Sequence, residues 1–166
     1  MNKIELHIPN ENELEYRRYL ISNKETMNYN IGYGDDGTGC YYQTIEHVKD
    51  WYKNWNNGTD NYYAYIIRKE DNTPIGEVDI HWSGYCQKYI IGIVIEAKYC
   101  GKGYAEKALN LLCDAAFNEL KLDKIYDDFP TTRTAAEKVF SKVGFVREDN
   151  DFVVLTKERY NQIRKK

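Results

Sequence analysis

The chain has 166 residues, 42% of them hydrophobic and 30% charged, and its formal net charge at pH 7 is −3. This length and composition predict a single domain over residues 1–166 that buries a core without disulfides or metals. The mildly acidic balance argues against nucleic acid as a partner, and no apolar run reaches the roughly 18 residues that a membrane-spanning helix needs.

The N-terminus and the cysteines favour a cytoplasmic location. Residues 1–13 lack the basic stretch followed by an apolar stretch that marks a secretory signal. The four cysteines stand far apart, form no Cys-x-x-Cys pair and accompany only three histidines, so we expect reduced thiols and no metal site. We also expect no membrane partner, and a monomer or a homodimer.

The first part of the chain predicts one strand and two helices. Residues 3–8 alternate as a strand does, and residues 11–22 and 44–55 have helical patterns, the second capped by Thr44. Between these helices, residues 29–40 are rich in glycine and aspartate and predict a loop. Sixteen tyrosines, many before residue 105, predict tyrosine packing against a sheet, with a hydroxyl-lined pocket as the alternative.

Three strands then follow as an antiparallel meander, over residues 62–69, 75–82 and 89–96. The middle strand alternates strictly between apolar and polar residues. Its polar face carries Glu77, Asp79 and His81. This face is either solvated or, beside a bound cofactor, a surface that attracts a cationic amine.

The last part of the chain predicts two more helices and three more strands. A helix over residues 103–119 precedes a strand over residues 123–129. Thr134 and Glu137 have capping-box spacing at the start of a second helix, which Gly144 ends. A closing hairpin follows. The order of elements predicts an α/β fold with one mixed, mostly antiparallel, twisted sheet flanked by helices.

The joint between the third meander strand and the helix contains Gly101-Lys102-Gly103, with Lys98 nearby. It fits neither the Gly-x-Gly-x-x-Gly fingerprint nor the nucleoside-triphosphate loop. Glycines allow close backbone approach, and the first amides of a helix are unpaired and carry the positive end of its dipole. A pyrophosphate is well received at such a turn. A plain glycine-bearing joint with solvated lysines is the alternative.

Two segments resemble the GNAT superfamily of N-acetyltransferases. Residues 98–105, KYCGKGYA, resemble the family's Arg/Gln-x-x-Gly-x-Gly/Ala segment, with Lys98 in place of the usual Arg or Gln. Residues 134–145, TAAEKVFSKVGF, resemble its ending x-x-Ala-x-x-x-Tyr-x-x-x-Gly-Phe. The likeness runs from about residue 75 to 145. It implies the GNAT fold and an N-acetyltransferase similar to those that acetylate ribosomal-protein alanine or aminoglycosides.

The resemblance also implies acetyl-CoA as the cofactor. In the family, the amides of the glycine segment cradle the pyrophosphate, and the preceding strand offers its backbone to the pantetheine arm. Carried over to this sequence, the cofactor-binding residues are Ile93, Val94, Ile95, Lys98, Cys100, Gly101, Lys102, Gly103, Tyr104, Ala105 and Arg133. Cys100 beside the glycines is more simply a bystander than a nucleophile.

Two positions depart from the family pattern. Arg133 stands where the family often has Asn, and a guanidinium there can still pair with cofactor phosphates. Phe140 stands where a frequent Tyr protonates the departing thiolate. If the protein is an enzyme, Tyr104 or water must give this proton, or the thiolate leaves unaided.

The chemistry needs a group that frees the amine, because a primary amine with a pKa near 10.4 is protonated at pH 7. A carboxylate both binds the cation and accepts its proton. Asp128, Glu77 and Asp79 are the candidates. Residues 123–133, DKIYDDFPTTR, resemble a strand of aminoglycoside 6′-N-acetyltransferases in which an Asp near the position of Asp128 engages the amino sugar. A loop cap is the alternative role for Asp128.

These inferences predict direct acetyl transfer, in a ternary complex, to a primary amine of a small molecule or to a protein N-terminus. Phe140 favours a different class as the alternative, an acyl-CoA sensor that binds without turnover. A nucleotide-binding turn is a third possibility.

Overall fold

The computed structural model describes residues 2–55 and 61–165, which build one seven-stranded sheet with helices packed on both faces. The strand order is β1-β2-β3-β4-β5-β7-β6. The strands are β1 (Ile4–His7), β2 (Tyr62–Arg68), β3 (Thr73–Ser83), β4 (Lys88–Ile95), β5 (Lys124–Asp128), β6 (Val146–Arg147) and β7 (Phe152–Thr156).

Six α-helices accompany the sheet, and none in the described part of the chain has both the length and the apolar character to cross a membrane. They are α1 (Glu15–Ser22), α2 (Lys24–Met27), α3 (Ile45–Trp55), α4 (Tyr104–Asp114), α5 (Thr134–Val143) and α6 (Lys157–Arg164). A π-helical turn, Ala115–Glu119, extends α4.

The structure confirms the predicted meander and the mixed sheet. Strands β1 to β4 pair antiparallel in sequence order, and β5 pairs antiparallel with β7. Strands β4 and β5 run parallel, and within the described residues they pair only at Ile90 and Tyr126. Beyond that pair the two strands separate. We call the gap between residues 91–95 of β4 and residues 127–128 of β5 the splay.

Two apolar clusters cover the two faces of the sheet. Val78 and Ile80 point to the α4 side and pack with Leu109 and Leu112 in the larger cluster. On the opposite face the smaller cluster joins α1 and α3 to the sheet through Leu14, Val48, Tyr52, Tyr63, Tyr65 and Ile67. Tyr63 meets Tyr65 and Trp51 edge to face. Because their rings fill this cluster, these tyrosines take the predicted packing role.

Several local predictions can be compared with the observed helix ends. Thr44 caps α3, because its Oγ1 accepts from the His47 amide at 3.1 Å. Gly144, at φ +120°, ends α5 as predicted. The capping box at Thr134 is wrong: Thr134 is already helical, and the Glu137 carboxylate pairs with Arg147 instead of reaching back. The ion pair between Glu137 and Arg147 of β6, 10 residues further along the chain, takes the place of the local cap.

The predicted helix over residues 11–22 is divided into two parts. A 3₁₀ turn, Glu11–Glu13, comes first, and α1 begins after Leu14. Asn10 caps the turn, accepting from the Asn12 amide while the Glu13 carboxylate accepts from the Asn10 amide at 2.7 Å. Leu14 is fully buried at the bend, so the division directs this side chain into the smaller cluster.

Candidate active site

The glycine turn between β4 and α4 is shaped by two left-handed residues. Gly101 has φ +74° and Gly103, at the N-cap of α4, has φ +83°. A Cβ at either position would meet no atom of the described chain within 4 Å. The glycines are therefore required by backbone conformation, and the space around the turn is open to a ligand.

Main-chain amides at the start of α4 point into this open space. Gly103 makes no side-chain cap hydrogen bond, and the first amides of a helix have no acceptor one turn earlier in that helix. Unpaired amides, the positive end of the helix dipole and the exposed Lys102 form a setting for a doubly charged phosphate linkage. The residues present therefore fit the pyrophosphate of CoA.

Lys98 is differently placed from Lys102. Its Nζ lies 3.2 Å from Oε1 of Glu96, a buried carboxylate that also accepts from the Tyr19 hydroxyl at 2.8 Å. The hydrogen bond to Glu96 raises the pKa of Lys98. Lys98 is thus partly neutralised by Glu96. The same carboxylate links the end of β4 to α1 through Tyr19.

Cys100 is an exposed residue whose thiol contacts the main chain. Its Sγ contacts the carbonyl oxygen of Ile95 at 3.6 Å, and partial burial raises the thiol pKa. A nucleophilic cysteine requires the opposite shift, because the thiolate is the reactive form.

Residues 93–95 of β4 lie along the edge that borders the splay. The backbone groups of Ile93 and Ile95 face the gap, whereas those of Val94 face β3, because the Glu96 amide donates to Ile75 of β3 in the same register. Ile93 and Ile95 pack on the α4 side, and Val94 stands opposite Glu77 on the other face. No β5 residue pairs with this edge in the described chain, so its free backbone groups line the gap. The splay connects the two faces of the sheet.

Four titratable side chains surround the splay: Asp79, His81, Asp127 and Asp128. His81 Nδ1 lies 2.9 Å from Asp79 Oδ1, and both side chains are partly exposed. Asp79 stands opposite Gly92 of β4, where any Cβ would collide with the Asp79 carboxylate. Gly92 therefore makes room for a carboxylate directly above the first unpaired level of β4.

The carboxylates of β5 influence the protonation of the groups around the splay. Burial, together with the negative charges of Asp128 and Asp79, raises the pKa of Asp127 to about 7, although the Asp128 amide and Arg133 act against the shift. The hydrogen bond to Asp79 raises the pKa of His81, and the charges of Asp128 and Asp127 add to it. Negative charge is thus concentrated at the splay, which favours a bound cation.

Glu77, two residues before Asp79 on the same face, lies in a different environment. It is 6% exposed, its Oε1 accepts from Arg17 Nη1 at 2.6 Å, and the Tyr63 hydroxyl donates to its other oxygen. Arg17 in turn lies 3.9 Å above the Trp51 ring. Glu77 therefore joins α1 and α3 to the sheet, and the structure does not place it in the cluster at the splay.

The predicted proton donor Tyr104 is directed away from the acidic cluster. Its hydroxyl donates to Asn2 Oδ1 at 3.4 Å, next to β1, and its ring meets Tyr99 edge to face. Phe140 is buried between Phe129 and Phe145, at centroid distances of 5.1 and 5.0 Å. Neither residue presents a hydroxyl to the splay in this arrangement.

Arg133 and Tyr29 form a contact that sequence reasoning missed. The exposed Arg133 guanidinium lies 5.1 Å from the Tyr29 ring, which is itself 46% exposed. Tyr29 lies in the turn Asn28–Asn30, at the start of the predicted loop. Nothing periodic in that segment marks the residue, because its partner lies more than 100 positions away.

Known acetyltransferases resemble this chain in sequence and fold. The family of acetyltransferase (GNAT) domains matches residues 6–146. The probable N-acetyltransferase YjcK of Bacillus subtilis (strain 168) is 31% identical over 91 residues, which are 54% of this chain and 50% of that protein. The chain therefore matches about half the length of this curated relative.

Solved structures share the fold at low identity. Spermidine N-acetyltransferase from Vibrio cholerae, in complex with CoA and spermine, superposes with a TM-score of 0.78 at 18% identity, over 97% of this chain and 99% of that one. FdhC, a nucleotide-linked sugar GNAT, gives 0.75 at 21% identity, over 99% and 92%. The family match confirms the predicted GNAT acetyltransferase domain, and acetyl-CoA is the cofactor of this family. The chain belongs to the GNAT family of acetyltransferases.

Proposed function

We propose that this protein transfers the acetyl group of acetyl-CoA to a primary amine of a small cationic molecule, directly and in a ternary complex. The observation that carries the proposal is the convergence of Asp79, Asp127 and Asp128 at the splay, beside the free edge of β4. A cationic amine is attracted to this cluster, and partial burial strengthens the attraction because the local dielectric constant is low.

The cofactor would lie along the glycine turn and the free edge of β4. Amides of residues 101–105, with Lys102, would hold the pyrophosphate, and Arg133 would contact a phosphate or the pantetheine arm. Ile93 and Ile95 would offer backbone groups to that arm, and Val94 lies between them in β4. When bound, acetyl-CoA supplies an acetyl thioester that an amine can attack. Lys98 would act mainly by fixing the end of β4 through Glu96.

Direct transfer is favoured over a covalent enzyme intermediate. The thiol nearest the glycine turn, Cys100, has a raised pKa and contacts a backbone carbonyl. An attacking cysteine would need a lowered pKa and a base beside it. We therefore assign no nucleophilic residue, and the amine itself attacks.

Among acceptors, a polyamine or an amino sugar fits better than a protein N-terminus. Several carboxylates around one gap suit an acceptor with several ammonium groups, since each additional cation finds a partner. The Vibrio cholerae structure holds spermine as well as CoA, which supports a small-amine acceptor. We propose Asp127 and Asp128 as amine-binding groups. Glu77 is a framework residue, because Arg17 already neutralises it.

One observation supports an acyl-CoA sensor as a second candidate. Phe140 carries no ionisable proton, and the Tyr104 hydroxyl lies at Asn2, so neither of these two residues supplies the proton of the family tyrosine. A sensor would bind CoA through the same turn and release no thiol. Binding and turnover must therefore be measured separately.

The test is thiol release from acetyl-CoA with a panel of spermidine, spermine, kanamycin and a peptide with an N-terminal alanine. We expect turnover above the no-acceptor rate with at least one of the first three. Calorimetry with CoA alone runs in parallel. Tight CoA binding with no response to any amine would reject the enzyme in favour of the sensor.

A further inference from the structure

Asp79 and His81 form a pair at the point where β4 and β5 separate. His81 stands opposite Ile90, the β4 residue of the last β4–β5 pair, and Asp79 stands opposite Gly92 at the first open level. Both side chains lie on the face opposite α4, whose N-terminus carries the glycine turn. A cofactor entering from one face and an amine entering from the other would thus meet beside this pair.

The His81 ring is fixed on two sides. Nδ1 is 2.9 Å from Asp79 Oδ1, and the Trp55 ring packs against the imidazole with its centroid 5.2 Å away. Nε2 has no hydrogen-bond partner in the described part of the chain. If Nδ1 carries the proton donated to Asp79, the Nε2 lone pair is free to accept another proton. The carboxylate selects that tautomer and stabilises the cation that forms.

We propose that His81 is the proton acceptor for the acceptor amine, and that Asp79 is a positioning residue that orients its ring. This proposal rests on the proposed function and extends it, because it names the group that frees the nucleophile. Asp127 and Asp128 then serve to bind the ammonium groups of the acceptor.

Acetyl transfer removes two protons from the ammonium nitrogen. One N–H bond of the ammonium breaks, its proton passes to His81 Nε2, and the nitrogen keeps the electron pair. That pair forms the bond to the acetyl carbon while the carbon–sulfur bond breaks. The second nitrogen proton leaves with the thiol of CoA, and His81 returns its proton to water. The products are the N-acetyl amine, CoA thiol and one released proton.

Asp127 is the rival proton acceptor. Its carboxylate already accepts the Asp128 amide at 2.7 Å, and it is attracted to Arg133. His81 has a free nitrogen, whereas one Asp127 oxygen is engaged by the backbone. Among residues 2–55 and 61–165, the titratable groups that act on His81 are Asp79 on β3 and Asp127 and Asp128 on β5, and the α3 residue in contact with its ring is the neutral Trp55.

The experiment compares the pH profile of kcat/KM for the wild type, H81Q, D79N and D127N, with the best amine of the panel. Activity requires neutral His81, and its folded-state pKa is raised above 6.5, so activity should fall as the pH drops through that raised value. We expect H81Q to lose roughly 100-fold or more and to lose this acidic limb. D79N should lower the rate and move the limb to lower pH, because it removes the main cause of the raised pKa.

The control is H47Q, which changes an exposed histidine on α3 and should keep the wild-type rate and profile. CoA affinity by calorimetry should stay within about twofold in every variant, which excludes a folding defect as the cause. Imidazole NMR provides a second readout without cofactor. The chain has three histidines, and spermine should shift the His81 signals but not those of His47.

If H81Q keeps the wild-type rate and limb while D127N loses both, the inference is overturned and Asp127 takes the role. Unshifted His81 signals at saturating spermine, for an enzyme that acetylates spermine, would also overturn it. If the wild type acetylates no amine of the panel, the proposed function fails instead, and that result is separate from the comparison of variants.

Discussion

Two carboxylates on β3 point to the same face of the sheet and have opposite surroundings. Glu77 is buried against Arg17 and Tyr63, whereas Asp79 lies at the splay beside His81. A buried carboxylate with a guanidinium partner is stable as a charged pair and poorly suited to exchange protons. A partly exposed one next to a histidine can act on a ligand.

We expect E77Q to lower the free energy of unfolding by about 3–5 kcal/mol, because the Arg17 charge would be left buried without its partner. Urea denaturation monitored by tryptophan fluorescence measures this. The control is D71N, which breaks the exposed pair with Arg68 and should cost no more than about 1 kcal/mol. Equal losses of stability in the two variants would show that the Arg17–Glu77 pair does not stabilise the contact between α1 and the sheet.

Tyr104 gives a second test at this scale. Its hydroxyl donates a long hydrogen bond, 3.4 Å, to Asn2, which is not part of the acidic cluster. We therefore expect Y104F to keep kcat within about threefold, since a general acid would contribute about 100-fold or more. Steady-state kinetics at saturating amine decide the matter. A loss of the larger size would restore Tyr104 as the thiolate's proton donor.

Residue types alone identified candidates here but not their partners. Asp79, Asp128 and the glycines were predicted from alternation and from the family resemblance. The division between Glu77 and Asp79 was not, because Arg17 lies 60 positions away and only the packing of α1 brings it to β3. His81 was seen as a face neighbour of Asp79, but its packing under Trp55 depends on how α3 crosses the sheet.

At the scale of elements, the glycine turn joins strand and helix by backbone conformation alone. Gly101 and Gly103 both have positive φ, and no side chain caps α4. Local sequence predicted this joint well, because glycine spacing and the start of an amphipathic pattern are local signals. The cap at Thr134 was mispredicted, since Glu137 pairs with Arg147 on β6, and that competition is not local.

Two substitutions at Gly103 separate conformation from charge. G103A adds only a Cβ in open space, at a cost of roughly 1–2 kcal/mol for the left-handed φ. G103D adds the same strain and a negative charge at the positive end of the helix. We expect G103D to bind CoA at least about tenfold more weakly than G103A, because charges at a helix terminus and near a phosphate repel.

Isothermal titration calorimetry with CoA, with stability measured in parallel, provides the comparison. G144A is the control for a general loss of stability. Its Cβ would collide with Ile163, so it should destabilise the fold at a position away from the glycine turn. Equal CoA affinity in G103A and G103D would place the pyrophosphate elsewhere.

For the whole molecule, the sheet brings two surfaces together through one gap. The glycine turn lies with α4 on one face, and the Asp79–His81 pair lies on the other. The order of elements and the mixed sheet were predictable from periodicity. Periodicity does not predict the splay, because whether β5 follows β4 for one pair or for five depends on the twist of the sheet and on the packing around it.

The splay leads to a prediction for the whole chain. If CoA occupies the gap, its binding should slow hydrogen exchange in two separated segments, residues 91–95 and 101–106, and leave α3 unchanged. At a CoA concentration 100 times Kd, the added stability is about 2.7 kcal/mol, which corresponds to slowing by up to about 100-fold where exchange requires release of the ligand. Mass spectrometry after peptic digestion resolves both segments.

ATP is the matched ligand control, since it carries phosphates without a pantetheine arm. A nucleotide-binding turn would give the same protection of residues 101–106 with ATP as with CoA, and no protection of β4. The pantetheine arm is what extends the contact from the helix N-terminus to the strand edge. Protection confined to residues 101–106 with both ligands would therefore contradict occupation of the splay, and with it the meeting of cofactor and amine beside His81.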